Sequence, residues 1–118
     1  MKEALKRRTK SFAIQIVRMT DGLPNKQIGW TITNQIVRSG TSVAANYRAV
    51  CRAKSDKDFI SKMETVIEEA DETIFWLELI LDLALIPAEE IEQLMKEGNE
   101  LISIFVSSVK TVKKRLNN

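Results

Sequence analysis

The chain has 118 residues, a net charge of +2, a single cysteine and no histidine. Without histidine, Ser-His-Asp and Cys-His catalysis and the Glu-x-x-His ligand pairs of di-iron bundles are excluded. With Cys51 as the only thiol, a structural zinc site is excluded as well, and a single thiol fits a reducing compartment. The most apolar run, residues 74–86, is about half as long as a bilayer span, so we expect a cytoplasmic protein without a membrane partner.

Sparse prolines and glycines predict four long helices with short connections. The first helix is expected at residues 2–20, where apolar residues recur at helical spacing, and residues 21–24 should end it. The second is expected at residues 26–52, with Asn25 as its N-cap.

Heptad patterns mark the third and fourth helices. The third has Phe59, Met63, Val66, Ala70, Thr73, Leu77, Ile80 and Ala84. The fourth has Ile91, Met95, Gly98, Ile102, Phe105, Val109, Val112 and Leu116. Ser55 and Asp58 are expected to cap the third helix, and Pro87 suits the first turn of the fourth. The fold class predicted is therefore all-α, an antiparallel up-down-up-down four-helix bundle forming a single domain of residues 1–118.

The third helix carries more apolar surface than one buried stripe requires, because residues 74–86 are apolar nearly all round. The excess predicts association between copies of the chain; alternatively, this helix simply lies deepest in the bundle. The candidate oligomer interface is Trp30, Val37, Ile74, Phe75, Trp76, Leu79 and Leu83.

A polar stretch interrupts the second helix at residues 38–47, where polar side chains are spaced by four residues and Arg38 falls level with Asp71. The spacing predicts a polar network that fixes helix register; a ligand or nucleotide pocket is the alternative. The candidate network is Arg38, Ser42, Asn46, Glu68, Asp71 and Glu72.

Three parts of the sequence form a recognisable pattern. They are Arg38-Ser39-Gly40-Thr41-Ser42-Val43-Ala44-Ala45-Asn46-Tyr47-Arg48, then Lys57-Asp58-Phe59-Ile60, and finally Glu68-Glu69-Ala70-Asp71-Glu72-Thr73 with Trp76-Leu77-Glu78-Leu79. Together they resemble the "four helix bundle protein" family. That family includes bacterial proteins encoded in intervening sequences of 23S rRNA genes, and the accessory variability proteins of diversity-generating retroelements look like relatives. The resemblance implies a four-helix bundle assembled as a ring-like homopentamer, a basic surface suspected of binding nucleic acid, and no established enzymatic activity.

An acidic segment at residues 68–72 resembles the Glu-Glu-x-x-Glu segment of all-helical nucleoside triphosphate pyrophosphohydrolases, which hold Mg²⁺ against substrate phosphates. Those enzymes also need a Glu-x-x-Asp helix. The nearest matches here, Glu89-x-x-Glu92 and Glu97-x-x-Glu100, depart from that pattern. We therefore expect no enzyme, cofactor or metal site, and an ion-paired or solvated acidic face instead.

Fourteen of the eighteen basic residues fall at residues 2–10, 48–62 and 110–115, which the bundle topology brings to one end. The candidate nucleic-acid-binding residues are Lys2, Lys6, Arg7, Arg8, Lys10, Arg48, Arg52, Lys54, Lys57, Lys110, Lys113, Lys114 and Arg115. Cations at the start of the first helix oppose the helix dipole, which favours a polyanion surface over a merely solvated face. We expect RNA or DNA backbone binding with little sequence preference. A scaffold whose basic end docks an acidic partner protein is the alternative.

Overall fold

Four helices make up the computed structural model, which describes residues 2–117. They are α1 (Lys2–Met19), α2 (Gln27–Val50), α3 (Asp56–Asp82) and α4 (Ala88–Leu116), with a 3₁₀ turn at Thr20–Gly22 after α1. Each helix packs against the next, α1 also contacts α4, and the bundle measures 52 × 22 × 20 Å. The described residues contain no strand, so the predicted all-α four-helix bundle is confirmed.

A single apolar core runs the length of the bundle, and its largest fully buried side chains are Phe12 and Phe105. Gly40 lets α1 and α2 approach closely, because a Cβ at this position would lie 3.0 Å from Cγ2 of Ile16. The glycine that is unfavourable for α2 as an isolated helix is therefore favourable for packing. None of the helices described is both long and apolar enough to cross a membrane.

The predicted caps have different outcomes at the starts of α2 and α3. Ser55 caps α3 as predicted, since its Oγ accepts a hydrogen bond of 3.0 Å from the backbone N–H of Asp58. The prediction that Asn25 caps α2 is wrong. Lys26 occupies the N-cap position, and Oδ1 of Asn25 accepts a hydrogen bond from the indole of Trp30 instead.

Two core positions of α4 are shifted by one residue from the heptad prediction. Leu94 and Leu101 are buried, whereas Met95 and Ile102 are half-buried beside them. A straight helix turns once every 3.6 residues, so a strict seven-residue pattern drifts around its surface, and both neighbouring apolar positions face inward in part.

The predicted heptad of α3 extends one step too far at Ala84. Ala84 lies past the end of α3 with φ of 54°, and the N–H of the next residue, Leu85, bonds the carbonyl of Ile80. This left-handed conformation ends the helix in the manner that glycine usually permits.

We expect Ala84→Gly to stabilise the protein by about 1 kcal/mol, because glycine adopts positive φ without the steric cost of a Cβ. Chemical denaturation followed by circular dichroism would measure this. The matched control is Ala88→Gly at the start of α4, which should not stabilise, since glycine lowers helix propensity. An unchanged or lower stability for Ala84→Gly would contradict this account of the α3–α4 connection.

Candidate functional site

The three basic segments meet at the end of the bundle where the chain begins. Nζ of Lys2 lies 3.5 Å from the carbonyl oxygen of Cys51, which joins the start of α1 to the end of α2. Arg115 contacts Asp56 through two hydrogen bonds, of 2.9 and 3.2 Å, which join the end of α4 to the start of α3. The topology therefore brings residues distant in sequence to one place.

Carboxylates neutralise part of this basic end. Arg115 pairs with Asp56 and lowers the pKa of that carboxyl, chiefly through its hydrogen bonds. Lys113 lies 3.5 Å from Glu64 of α3. The candidate cations of α4 thus include two that are held by acids of α3.

Arg8 points away from the other cations of α1 and pairs with α4. Its guanidinium lies 2.7 Å from Glu97 and 3.0 Å from Glu100, and the hydrogen bond to Glu97 is the main reason that the pKa of Arg8 is raised. Arg8 therefore joins α1 to α4 and is less available to an external ligand than its neighbours.

A groove between α1 and α2 collects seven cations and one acid, Glu3, and most of these cations have no carboxylate partner among residues 2–117. We call it the α1/α2 groove, with a volume of ≈980 Å³. Its walls carry Lys6, Arg7, Lys10, Arg48, Arg52 and Lys54, and Lys62 of α3 lies at its edge. Within residues 2–117, Lys6 pairs only with Glu3 and Lys62 with Asp58, and the other five form no ion pair.

The floor of the α1/α2 groove is made of small side chains, namely Ala13, Thr41, Ala44, Ala45 and Ala49. Among residues 2–117, no aromatic side chain lines it. Tyr47 turns inward instead and stacks on Phe105 with ring centroids 5.8 Å apart. An extended polyanion could approach the helix backbones here and meet cations on both walls, but it would find no ring on which to stack a base.

The sequence prediction treated all the candidate cations as one set, and it missed both the groove and its floor. Lys57, Lys110 and Lys114 are exposed and do not line the α1/α2 groove. The sequence could have predicted the groove floor from Ala44, Ala45 and Ala49. These small residues share one side of α2 with Arg48 and Arg52.

Arg38 is the centre of the polar contacts between α2 and α3. It pairs with Glu72 and lies 3.3 Å from Glu69. The hydrogen bond from Arg38, followed by one from the indole of Trp76, lowers the pKa of Glu72. Glu72 was among the predicted partners, whereas Glu69 was not.

The other predicted members of this network lie apart from Arg38. Glu68 and Asp71 are exposed and form no ion pair within residues 2–117. Ser42 and Asn46 are half-buried and have no side-chain hydrogen bond to any residue described. The buried polar contact between α2 and α3 is made instead by the hydroxyls of Ser39 and Thr73, which lie 2.9 Å apart.

The acidic segment of α3 faces two directions. Glu69 and Glu72 turn toward Arg38, while Glu68 and Asp71 face solvent. In the part of the chain that the structure describes, no three acidic or thiol side chains lie close enough to hold a metal ion.

The predicted oligomer interface is partly exposed, toward the far end of the bundle. Trp30, Phe75 and Leu83 are 53%, 52% and 47% exposed. Val37, Trp76 and Leu79 are half-buried. Ile74 must be removed from this surface, because it is buried in the core, where its Cδ1 would lie 2.8 Å from a Cβ at Gly98.

Comparison with known proteins places the chain in a family. The sequence model of the 23S rRNA-intervening sequence protein matches residues 3–107. The chain belongs to this family. It is also similar to a crystal structure of a protein of unknown function from the S23 ribosomal protein family of Bacteroides thetaiotaomicron VPI-5482. The two are 36% identical with a TM-score of 0.83, over 89% of this chain and 97% of that one. No curated protein matches the sequence.

Membership of the 23S rRNA-intervening sequence protein family agrees with the resemblance found in the sequence and covers the residues that line the α1/α2 groove. Neither the family description nor the description of the crystal structure names an enzymatic activity.

The Arg38–Glu72 contact makes part of the stability depend on pH. The pKa of Glu72 is lower in the folded protein than in the unfolded chain, so its contribution is present above its unfolded pKa of about 4.3 and is lost as pH falls through the folded value. We expect Arg38→Met to lower the denaturation midpoint at pH 7, and the difference from the unsubstituted protein to shrink as pH falls through the lowered pKa of Glu72.

Arg48→Met is the matched control, because Arg48 is exposed and pairs with no carboxylate among residues 2–117. Its difference from the unsubstituted protein should stay constant with pH. Equal pH dependence of the two differences would show that the Arg38 contact is not maintained in solution.

Proposed function

We propose that this member of the family is a non-catalytic nucleic-acid-binding protein, and that the α1/α2 groove binds the phosphate backbone. The observation that carries the proposal is the set of unpaired cations on both groove walls, with Arg7 and Lys10 on α1 facing Arg48 and Arg52 on α2. Crowding like charges lowers the stability of a folded protein. Their concentration at one groove is therefore best explained by a polyanion that neutralises them.

The position of these cations along α1 strengthens this argument. Lys6, Arg7 and Lys10 lie in the first half of α1, whose N-terminus carries the positive end of the helix dipole. Cations there gain nothing from the dipole, unlike Lys113 and Lys114 in the last turn of α4, which it stabilises. Arg7 and Lys10 thus have no structural explanation of the kind that accounts for the basic residues of α4.

The lining also indicates how the nucleic acid is recognised. Lysine and arginine contact phosphates without reading sequence, and the absence of aromatic rings from the groove gives single-stranded bases no stacking platform. We propose binding of structured or duplex nucleic acid with little sequence preference. RNA and DNA both present a phosphate backbone, so either is a candidate ligand, and we propose a role beside an RNA-handling protein in the cytoplasm.

We also propose that the protein acts as a homo-oligomer, in which the exposed apolar surface of α2 and α3 is covered by another copy. Trp30, Phe75 and Leu83 are each about half exposed, and they lie at the start of α2 and the end of α3, where burial against another protein would remove them from water. The ring-like homopentamer implied by the sequence resemblance would repeat the basic groove in each subunit and raise the avidity for a long polyanion through effective concentration.

We expect the protein to shift a structured or duplex RNA at about 50 mM salt, with affinity falling steeply as salt rises. Reversing two groove cations, Arg7→Glu with Arg48→Glu, should abolish the shift. The matched control, Lys110→Glu with Lys114→Glu, makes the same charge change outside the groove and should retain most of the affinity. An electrophoretic or fluorescence-anisotropy titration against salt measures both.

Equal loss in the two variants would mean that net charge, and not the α1/α2 groove, governs binding. Failure of the unsubstituted protein to bind any RNA or DNA would contradict the proposed function. An acidic protein retained by the groove in a pull-down after nuclease treatment would favour the scaffold alternative.

We expect Phe75→Ser to weaken association between copies by about tenfold or more, because it removes an exposed aromatic ring from the centre of the proposed interface. Sedimentation velocity or light scattering across a dilution series measures the change. Leu116→Ser, at an exposed leucine of α4 that is 44% accessible, is the matched control and should associate normally. A monomeric unsubstituted protein, or equal weakening in both variants, would contradict the proposed interface.

A further inference from the structure

A second cavity lies at the basic end of the bundle, beside the α1/α2 groove. Its volume is ≈310 Å³, and all four helices contribute to its lining, which includes Lys2, Tyr47, Lys54, Phe59 and Arg115. We call this cavity the end pocket. Lys54 also lines the α1/α2 groove, so the two cavities adjoin. The end pocket lies at the lower limit of the range for small-molecule sites, roughly 300–1,000 Å³, and is therefore large enough for one small molecule.

The hydroxyl of Tyr47 opens into the end pocket without a strong hydrogen-bond partner. Tyr47 is only 4% exposed, and its hydroxyl makes no hydrogen bond with an oxygen or nitrogen of residues 2–117. Within the same residues, no completely buried polar side-chain atom lacks a partner, so this hydroxyl keeps its accessible area, and it lies at the cavity. A hydroxyl in such a position is stabilised when a ligand supplies an acceptor.

Tyr47 is available to a ligand as a hydrogen-bond donor at physiological pH. Burial, followed by the neighbouring thiol of Cys51, raises the pKa of Tyr47 above its ordinary value. The thiol is a weak partner and leaves the phenol proton available. The ring of Tyr47 stacks on Phe105, which fixes the position of the hydroxyl before a ligand arrives.

The end pocket carries positive charge that no carboxylate neutralises. Arg115 is paired with Asp56, whereas Lys2 and Lys54 form no ion pair with any residue described. Nζ of Lys2 lies 3.5 Å from the carbonyl oxygen of Cys51, a long hydrogen bond that leaves the ammonium free to turn to a stronger acceptor. The pocket also includes the first turn of α3, where the helix dipole favours an anion.

The rest of the lining is mainly apolar. Val50 and Val112 are buried, and Phe59 is half-buried. Phe59 supplies the kind of ring that the α1/α2 groove lacks, and one ring can contact one base. Inorganic phosphate would leave this apolar surface in water, whereas a nucleotide would cover it. The lining therefore matches a phosphate joined to a base better than a phosphate alone.

We infer that the end pocket holds one unpaired nucleotide, at the end of a nucleic acid strand whose backbone lies in the α1/α2 groove. Lys2 and Lys54 contact its phosphate, Phe59 contacts its base, and the hydroxyl of Tyr47 donates a hydrogen bond to an acceptor of the nucleotide. Because Lys54 lines both cavities, one strand can pass from the groove to the pocket. This inference rests on the proposed function, and it adds a preference for a free strand end to the recognition of the backbone.

Alkylation of Cys51 tests occupancy of the end pocket. Cys51 lines the pocket and is the only thiol of the chain, so its rate of reaction with iodoacetamide reports on this cavity alone. We expect a short RNA duplex with unpaired overhangs to slow the reaction by about fivefold or more, because a bound nucleotide covers the thiol. The same duplex closed by loops at both ends has no free strand end and should leave the rate nearly unchanged.

Free nucleotides separate a strand-end site from a site for a small metabolite. Nucleoside 5′-monophosphates at millimolar concentration should also slow alkylation of Cys51. The overhang duplex should act at a concentration lower by about tenfold or more, because the groove adds contacts to the same molecule. Equal potency of the two would overturn the connection between the groove and the pocket.

Removing one hydroxyl tests the role of Tyr47. Tyr47→Phe keeps the stacked ring and should lower the affinity for the overhang duplex by about tenfold, the value of one hydrogen bond to a buried group, which removes most of its advantage over the closed duplex. Thr65→Val is the matched control, because it removes an exposed hydroxyl of α3 that lines neither cavity, and it should bind both duplexes normally. Circular dichroism checks that each variant is folded.

The outcomes distinguish this inference from the proposed function. Equal protection of Cys51 by the overhang and closed duplexes, or unchanged affinity of Tyr47→Phe, would overturn the strand-end site. If both duplexes bind while Cys51 stays fully reactive, the groove is supported and the end pocket fails. If no RNA or DNA binds, the proposed function and the strand-end inference both fail, even where the monophosphates still protect Cys51.

Discussion

Short connections between long helices are the constraint on which the rest of this structure depends. With turns only at residues 20–26, 51–55 and 83–87, each helix must return antiparallel to the one before it. The start of α1, the α2–α3 turn and the end of α4 are then forced to one end, together with the cations that they carry. The protein relieves this crowding with carboxylates at particular points, such as Asp56 opposite Arg115 and Glu97 opposite Arg8. In the α1/α2 groove that compensation reaches only Lys6 and Lys62, and the other five cations form no ion pair among residues 2–117.

Because the core is apolar and continuous, most surface charges are not needed to stabilise the fold. Phe12, Ile36, Leu77 and Phe105 are almost wholly inaccessible to solvent, and their burial is the dominant stabilising contribution. Exposed ion pairs contribute little by comparison. A bundle of this kind can therefore carry a basic groove on one side and an acidic stripe on another without losing its fold, and its net charge of +2 does not reveal either surface.

The sequence was sufficient for the fold because helical spacing of apolar residues and sparse turn residues act locally. It was not sufficient for the site, because side-chain pairing depends on offsets smaller than one helical turn. Of the predicted partners of Arg38, the structure pairs it with Glu72 but not with Asp71 or Glu68, and it adds Glu69; one residue along a helix is a rotation of about 100°. The convergence of basic segments followed from topology. The topology did not predict which cations are neutralised, since Arg8 pairs with α4 while Arg7, the residue before it, lines the groove.

The two kinds of uncompensated surface respond differently to salt. Attraction between the exposed cations of the α1/α2 groove and phosphates weakens as ionic strength rises. Burial of exposed apolar side chains such as Trp30, Phe75 and Leu83 in an interface is insensitive to moderate salt, because it does not depend on charge. Rising ionic strength should therefore release bound nucleic acid while copies of the chain stay associated.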